Sequence, residues 1–150
     1  MEYLVQRLDA TNIELMKQLN KLFGDVFEDT KTYNDKIPSD KYLESFLQNT
    51  DNIVLVAMSG DQVIGGLVAY TLTKFEMERK EIYIYDLGVK PDYQKQGIGR
   101  SLIEQLKTVS RALGAYVIFV QADEADEAVK FYESLNPSKN IRTRNFDYLI

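Results

Sequence analysis

The 150-residue chain contains no cysteine, no histidine and no tryptophan, and only three prolines. Without cysteine there is no disulfide framework and no thiol nucleophile. Without histidine there is no Ser-His-Asp triad, and the usual zinc ligand sets cannot be assembled, so no metal site is expected. Acid–base work must therefore fall to carboxylates, tyrosine, lysine, backbone or water. No apolar run approaches the roughly 18 residues needed to span a bilayer. The first residues, Met1-Glu2-Tyr3-Leu4-Val5-Gln6-Arg7, lack a secretory signal's basic start and apolar stretch, so the expected location is cytoplasmic, with no membrane partner. Net positive charge is also lacking: 23 Asp and Glu outnumber 18 Lys and Arg, and the net charge of −5 argues against nucleic acid as a partner.

What charge there is lies unevenly. Residues 90–111 hold five cations (Lys90, Lys95, Arg100, Lys107, Arg111) and two anions (Asp92, Glu104), a local balance of +3 that leaves −8 for the remainder. An acidic remainder favours a cationic ligand. The length suits one domain, residues 1–150, with a core of its own, and no repeat, linker or low-complexity segment divides it.

Periodicity predicts the elements. Tyr3–Leu8 reads as a short strand. Thr11 with Glu14 forms a capping-box pattern ahead of Ile13, Met16, Leu19, Leu22 and Phe23 at helical spacing, with Gly24 as the stop. Residues 25–38 have no clean period. Ser39 caps a second helix that buries Tyr42, Leu43, Phe46 and Leu47. Ile53–Met58 reads as a strand buried on both faces, and Ser59-Gly60-Asp61 turns it into Val63–Leu72. Gly65-Gly66 marks a bulge or a close approach. Lys74–Lys80 is a loop and Glu81–Val89 the next strand. Ile98, Leu102, Leu106, Val109 and Leu113 form one helix stripe that Gly114 ends. Tyr116–Val120 reads as another buried strand, Ala125–Leu135 as a helix, and Ile141–Ile150 as a final strand. The order β-α-α-β-β-β-α-β-α-β implies an α/β (α+β) fold: a central mixed, mostly antiparallel sheet with helices on both faces.

The most informative stretch is Val89-Lys90-Pro91-Asp92-Tyr93-Gln94-Lys95-Gln96-Gly97-Ile98-Gly99-Arg100. Two glycines at a strand-to-helix turn leave backbone N–H groups bare at the positive end of a helix, a natural seat for phosphate. A tight turn that needs glycine for its geometry alone is the plainer reading. The dinucleotide fingerprint requires a third glycine where Leu102 stands, and the Walker pattern lacks its spacing ahead of Gly99-Arg100-Ser101. What remains is Gln94-x-x-Gly97-x-Gly99 after a strand that ends Leu87-Gly88-Val89.

In that strand–turn–helix context the chain resembles the GCN5-related N-acetyltransferase (GNAT) superfamily, whose acetyl-CoA signature is Gln/Arg-x-x-Gly-x-Gly/Ala. A narrower resemblance, to the aminoglycoside 3-N-acetyltransferases, is carried by Glu81-Ile82-Tyr83-Ile84-Tyr85-Asp86-Leu87, by Gly114-Ala115-Tyr116-Val117-Ile118-Phe119-Val120-Gln121-Ala122-Asp123, and by Leu22-Phe23-Gly24 with Phe27-x-Asp29. Leu72-x-Lys74-Phe75-Glu76 and Phe146-Asp147 add to it. Gly99 departs from the alanine usual in those relatives, Leu135-Asn136 replaces Leu-Gly, and Asp126-Glu127-Ala128 and residues 138–144 diverge.

The resemblance implies acetyl transfer from acetyl-CoA, as co-substrate, to a primary amine of a cationic small molecule, foremost the 3-amino group of an aminoglycoside antibiotic. It implies that Gln94, Lys95, Gln96, Gly97, Ile98, Gly99 and Arg100 hold the pyrophosphate, with Leu87, Gly88 and Val89 beside the acetyl group. Strand alternation places Ile82, Ile84 and Asp86 on one face and Glu81, Tyr83 and Tyr85 on the other. Asp86 is then the first candidate to bind or deprotonate the amine, with Glu81 second, against the alternative of a hydrogen-bonded structural carboxylate. Tyr132 matches the superfamily tyrosine that protonates the departing thiolate, although Ala125, Ala128, Val129, Tyr132 and Leu135 also form a core stripe. Glu28, Asp29, Glu76, Asp123 and Asp147, with Tyr85, are the candidates for holding a polycationic acceptor. Another amine (a polyamine, a metabolite or a protein lysine) or a non-catalytic CoA-binding module fits the same glycine motif. Exposed edge strands are compatible with a homodimer.

Overall fold

The near-continuous apolar run Asn52–Ser59 (β2) sits in the middle of the sheet because each of its faces has a helical layer to cover it. The computed structural model describes residues 1–150. β2 pairs antiparallel with Leu4–Arg7 (β1) on one side and with Gln62–Thr73 (β3) on the other. β3 pairs antiparallel with Lys80–Val89 (β4), and β4 pairs parallel with Ala115–Val120 (β5). The sheet order is β1-β2-β3-β4-β5. It is mixed and mostly antiparallel, as the hairpin and crossover pattern requires.

The helices are Ile13–Val26 (α1), the single turn Thr30–Tyr33 (α2), Asp40–Gln48 (α3), Ile98–Ala112 (α4) and Ala128–Glu133 (α5). α1 and α3 cover one face, where Leu19, Phe23, Leu43 and Leu47 pack on Val54, Val56 and Val68. α4 covers the other, where Ile98, Leu102 and Leu106 pack on Ile53, Leu55, Leu67, Ile82 and Ile84. Alternate residues of one strand thus serve two cores, which is the period-2 rule at work. Gly66 marks a close approach: a Cβ there would strike the Leu19 side chain of α1 and stand 2.9 Å from the Leu55 carbonyl oxygen.

Several sequence expectations are corrected. α1 is not capped by Thr11. Its N-cap is Asn12, without a side-chain cap bond, while Thr11 is held by Asp9 Oδ1, which accepts from its backbone N–H at 2.8 Å and its hydroxyl at 2.6 Å. Gly24 does not stop the helix; it lies inside it, where the Asn34 side chain occupies the space of a Cβ. Ser39 does cap α3, accepting from Tyr42 N at 3.2 Å, but Tyr42 is exposed and borders a cleft. β5 is not a buried strand. It is the sheet edge, with Tyr116 and Val117 exposed. α5 is shorter than expected: it starts at Ala128 with Glu127 as its N-cap, and Asp126, expected inside the helix, lies ahead of it with its Oδ1 accepting from Ala128 N at 2.9 Å. The final strand is absent: residues 141–150 form no ladder, and Ile141, Phe146, Tyr148, Leu149 and Ile150 are exposed. Alternation is a necessary mark of a strand, but pairing makes one.

Candidate active site

The turn after β4 is built by its own side chains. Lys90 N donates to the Ile64 carbonyl at 2.9 Å, and Pro91–Tyr93 form one 3₁₀ turn. The Gln94 amide donates to the Val89 carbonyl at 3.0 Å, and the Gln96 amide to the Asp92 carbonyl at 3.0 Å. Both glutamines therefore shape the turn. Lys95 (φ 58°) and Gly97 (φ 86°) are left-handed, and Gly97 is the N-cap of α4 with no side-chain cap. The space above Gly97 is open: a Cβ there would meet nothing within 4 Å. The backbone N–H groups from Lys95 to Arg100 find no acceptor in the turn. They point from the positive end of a 15-residue helix, beside exposed Lys95 and Arg100. An anion of pyrophosphate size meets donors and positive potential here at no cost to the helix.

The strand leading to that turn has one free edge. β4 pairs with β5 only from Lys80 to Ile84, so Asp86–Val89 are paired to β3 alone. Past Ile84 the parallel ladder ends, which leaves the β5 side of Leu87, Gly88 and Val89 as a slot in the pairing.

A β-bulge then decides where Asp86 points. Val68 pairs with Asp86 and Ala69 with Ile84, which leaves Tyr85 as the extra residue. The expected alternation is broken there. Asp86 does not share a face with Ile82 and Ile84, as the sequence suggested. Leu87 and Val89 continue their row against α4, whereas Asp86 joins Phe23, Tyr33, Tyr70 and Tyr85 on the α1 side. These residues line a cleft of about 280 Å³. At its floor the Tyr33 hydroxyl donates to Asp86 Oδ2 at 2.7 Å. Burial pushes the Asp86 carboxyl above the usual carboxylate range, and the Tyr33 bond opposes that rise. Burial, and then the Asp86 bond, push the Tyr33 phenol up as well.

Tyr132, on α5, packs against the α4-side core with Phe131. Burial, with the negative charges of Asp126 and Asp86, lifts its phenol to about 12. A phenol so held keeps its proton at neutral pH.

Glu81 does not join Asp86. It lies five residues away on the same strand, roughly 16 Å at 3.3 Å per residue. Tyr116 donates a hydrogen bond to it, and Lys74 Nζ stands 3.7 Å from it. Glu81 is thus a member of a charge network with Lys74, Glu76 and Arg79.

The acidic candidates for the acceptor are dispersed. Asp29 caps α2, accepting from Thr32 N at 3.0 Å, and the Thr32 hydroxyl, with that backbone bond, holds its carboxyl below the usual range. Glu28 is exposed at a left-handed position beside it. Glu76 is paired with Arg79 at 3.3 Å. Asp123 is exposed after β5, and Asp147 accepts from Asn145 at 2.7 Å in the exposed C-terminal segment. Tyr85 is exposed in the cleft between Tyr70 and Tyr83, with ring centroids at 5.7 and 6.0 Å. The cleft wall is therefore aromatic, with Asp86 as its carboxylate. Sequence reading missed Tyr33, Tyr42 and Tyr70 as site residues. The signal for Tyr33 was weak: an aromatic residue in a segment without period.

A parallel pair whose ladder stops at Ile84, an open left-handed turn into a helix and a carboxylate just past the end of the ladder are the arrangement of an acyltransferase fold. The chain matches the acetyltransferase (GNAT) family over residues 16–136, and it belongs to that family. It is 40% identical to an aminoglycoside acetyltransferase of known structure from an uncultured soil metagenomic sample, with a TM-score of 0.95 over 100% of this chain and 99% of that one. It is 33% identical to a second soil metagenomic aminoglycoside acetyltransferase, solved in complex with sisomicin, with a TM-score of 0.93 over 99% and 96% of the two chains. Among curated proteins it is 32% identical over 84 residues to the ribosomal protein bS18-alanine N-acetyltransferase of Escherichia coli K12, a match that takes in 55% of each chain. The chain spans about half the length of the curated relatives it matches.

Proposed function

We propose that this chain transfers the acetyl group of acetyl-CoA to a primary amine of a cationic small molecule, and that the amine is the 3-amino group of an aminoglycoside. The observation that carries the reading is the placement of the open Lys95–Arg100 turn and Asp86 at opposite ends of one strand segment, Asp86–Val89, that is unpaired on its β5 side. End-to-end similarity to two aminoglycoside acetyltransferases supports the choice of acceptor. The acceptor's regiochemistry rests on the sequence resemblance.

In this reading the N–H groups of the turn hold the pyrophosphate, and Lys95 and Arg100 add charge. The pantetheine arm lies in the slot, and the free backbone edge at Leu87–Val89 donates to the thioester oxygen as it becomes an oxyanion; one such donor is worth about 10²–10³ in rate. Asp86 binds the acceptor ammonium and takes a proton from it, directly or through one water. The amine nitrogen attacks the carbonyl carbon, the C–S bond breaks, and Tyr132 gives its proton to the thiolate. The tyrosinate regains a proton from the nitrogen of the collapsing intermediate, which leaves a neutral amide, and Asp86 releases its proton to solvent.

The same reading places the protein in the cytoplasm, where acetyl-CoA is available, with antibiotic modification as its role. A homodimer built on the free outer edge of β5 is the assembly to test by sedimentation. A thiol-release assay with gentamicin, spermidine, a lysine peptide and a peptide with an N-terminal alanine decides the acceptor. Preferred turnover of gentamicin supports the proposal, and preferred turnover of either peptide overturns it. Failure to bind acetyl-CoA at all removes catalysis from the account.

A further inference from the structure

We propose that Tyr33 is a positioning residue for Asp86: its hydroxyl takes one carboxylate oxygen and leaves the other facing the cleft for the acceptor's ammonium. This rests on the reading of Asp86 as the group that binds the amine. The bond joins residues 53 positions apart, from Tyr33 Oη to Asp86 Oδ2 at 2.7 Å, and Oδ1 has no protein partner. A phenol donating to a carboxylate at this length is a charge-assisted bond.

The turn that carries Tyr33 is braced. Asp29 N donates to the Gly24 carbonyl at 3.0 Å, and the Asp29 side chain accepts from Thr32 N at 3.0 Å. The Tyr33 ring packs against Phe23 at 5.9 Å and Phe27 at 5.7 Å, both carried by the end of α1. Gly24 lets Asn34, the next residue, seat against the helix. A residue so held brings its hydroxyl to Asp86 without help from a ligand.

No cation balances Asp86. The groups that face it are Tyr33 from α2, Tyr42 from α3, Tyr70 from β3 and Tyr85 from β4, and Tyr132 on α5 lies within reach of its charge. Burial raises the carboxyl, and the Tyr33 proton is what opposes the rise. The hydroxyl therefore does two jobs. It fixes which oxygen meets the amine, and it keeps the carboxyl ionised at a pH where the acceptor is still an ammonium.

The test is Tyr33→Phe, which keeps the ring packing. The acid limb of kcat/KM for the amine should move up by about one pH unit, the scale of one lost hydrogen bond to a charged group. At neutral pH kcat/KM for the amine should fall about tenfold, with KM for acetyl-CoA unchanged. In an Asp86→Asn background the same change should have little further effect. The Asp86 pKa read by carbon NMR, in wild type and Tyr33→Phe without substrate, should move with the kinetic limb. An unmoved Asp86 pKa, or an equal loss of activity in the Asp86→Asn background, overturns the proposal. Because the NMR titration needs no turnover, it judges the Tyr33–Asp86 link even if the assays reject every amine as acceptor. Should Tyr33→Phe fold poorly by circular dichroism, Tyr33→Met tests the same loss of the hydroxyl.

Discussion

Phe131 lies over Gly99, its ring carbon Cζ 3.0 Å from the place a Cβ on Gly99 would take. The second glycine of the turn after β4 thus serves as the floor on which α5 sits. Arg100 adds a second tie, donating to the Ser134 carbonyl at 3.4 Å. Through these contacts the helix that follows the glycine turn also sets the position of Tyr132. They give a packing reason for glycine at a position where alanine is the usual residue of similar enzymes.

Replacing Gly99 with alanine should cost about 1 kcal/mol, the scale of modest overpacking. Phe131→Leu in the same chain should recover part of that loss, because the shorter side chain makes room. Thermal denaturation of the two single variants and the double variant checks the coupling. Strict additivity would show that the contact carries no energy.

Gly97→Ala should weaken acetyl-CoA binding about tenfold, measured by calorimetry. The left-handed φ of 86° costs an L-residue on the order of 1 kcal/mol, and the turn relaxes to avoid it. Since a Cβ at Gly97 meets no protein atom, the loss reports on backbone shape and ligand approach. Packing elsewhere stays as it is.

Tyr132→Phe should lower kcat by about 10²-fold, within the range for one positioned acid, and leave acetyl-CoA affinity nearly unchanged. With its phenol at about 12, Tyr132 stays protonated through the neutral range, so the basic limb of the wild-type profile below pH 9 belongs to another group. Steady-state kinetics from pH 6 to about 9.5 test both statements. An unchanged kcat would remove the tyrosine from the reaction.

Asp86→Asn should abolish most activity yet raise thermal stability by a few degrees at pH 7. Its folded carboxyl is raised by burial, so folding favours the neutral form. The sign follows directly. Stability from this group is complete below the unfolded carboxyl value of about 3.9 and is lost as pH rises through the folded value. The melting difference between the two proteins should therefore shrink toward zero as pH falls below about 4. A variant less stable than wild type at pH 7 would mark Asp86 as a structural group.

The parts of the site that lie close in sequence were legible before the fold was known. Val89-Lys90-Pro91 and Gln94-x-x-Gly97-x-Gly99 reveal a strand, a turn and a helix because the glycine torsion, the glutamine staples and the helix end all act within a dozen residues. The hairpin from β2 to β3 and the two-sided burial of Ile53–Ala57 were readable for the same reason. Asp86 was found as a residue but assigned to the wrong face. Its face depends on the bulge at Tyr85, which exists only through pairing with Val68 and Ala69 on another strand. Glu81, the second candidate after Asp86, is occupied instead by Lys74 and Tyr116, from two other elements.

By itself, the order of residues determined the local shapes: which segments carry helical or strand spacing, where the chain turns, and where bare N–H groups gather at a helix end. Only the tertiary structure decided which side chains meet. Tyr33 comes from a segment without periodicity and reaches Asp86 because α1 and β4 pack together, and the C-terminal residues alternate like a strand yet pair with nothing. The physical reason is range. Torsion preferences and capping bonds act between near neighbours, whereas a carboxylate's face, partner and proton affinity are set by groups that the chain brings together only when its core closes.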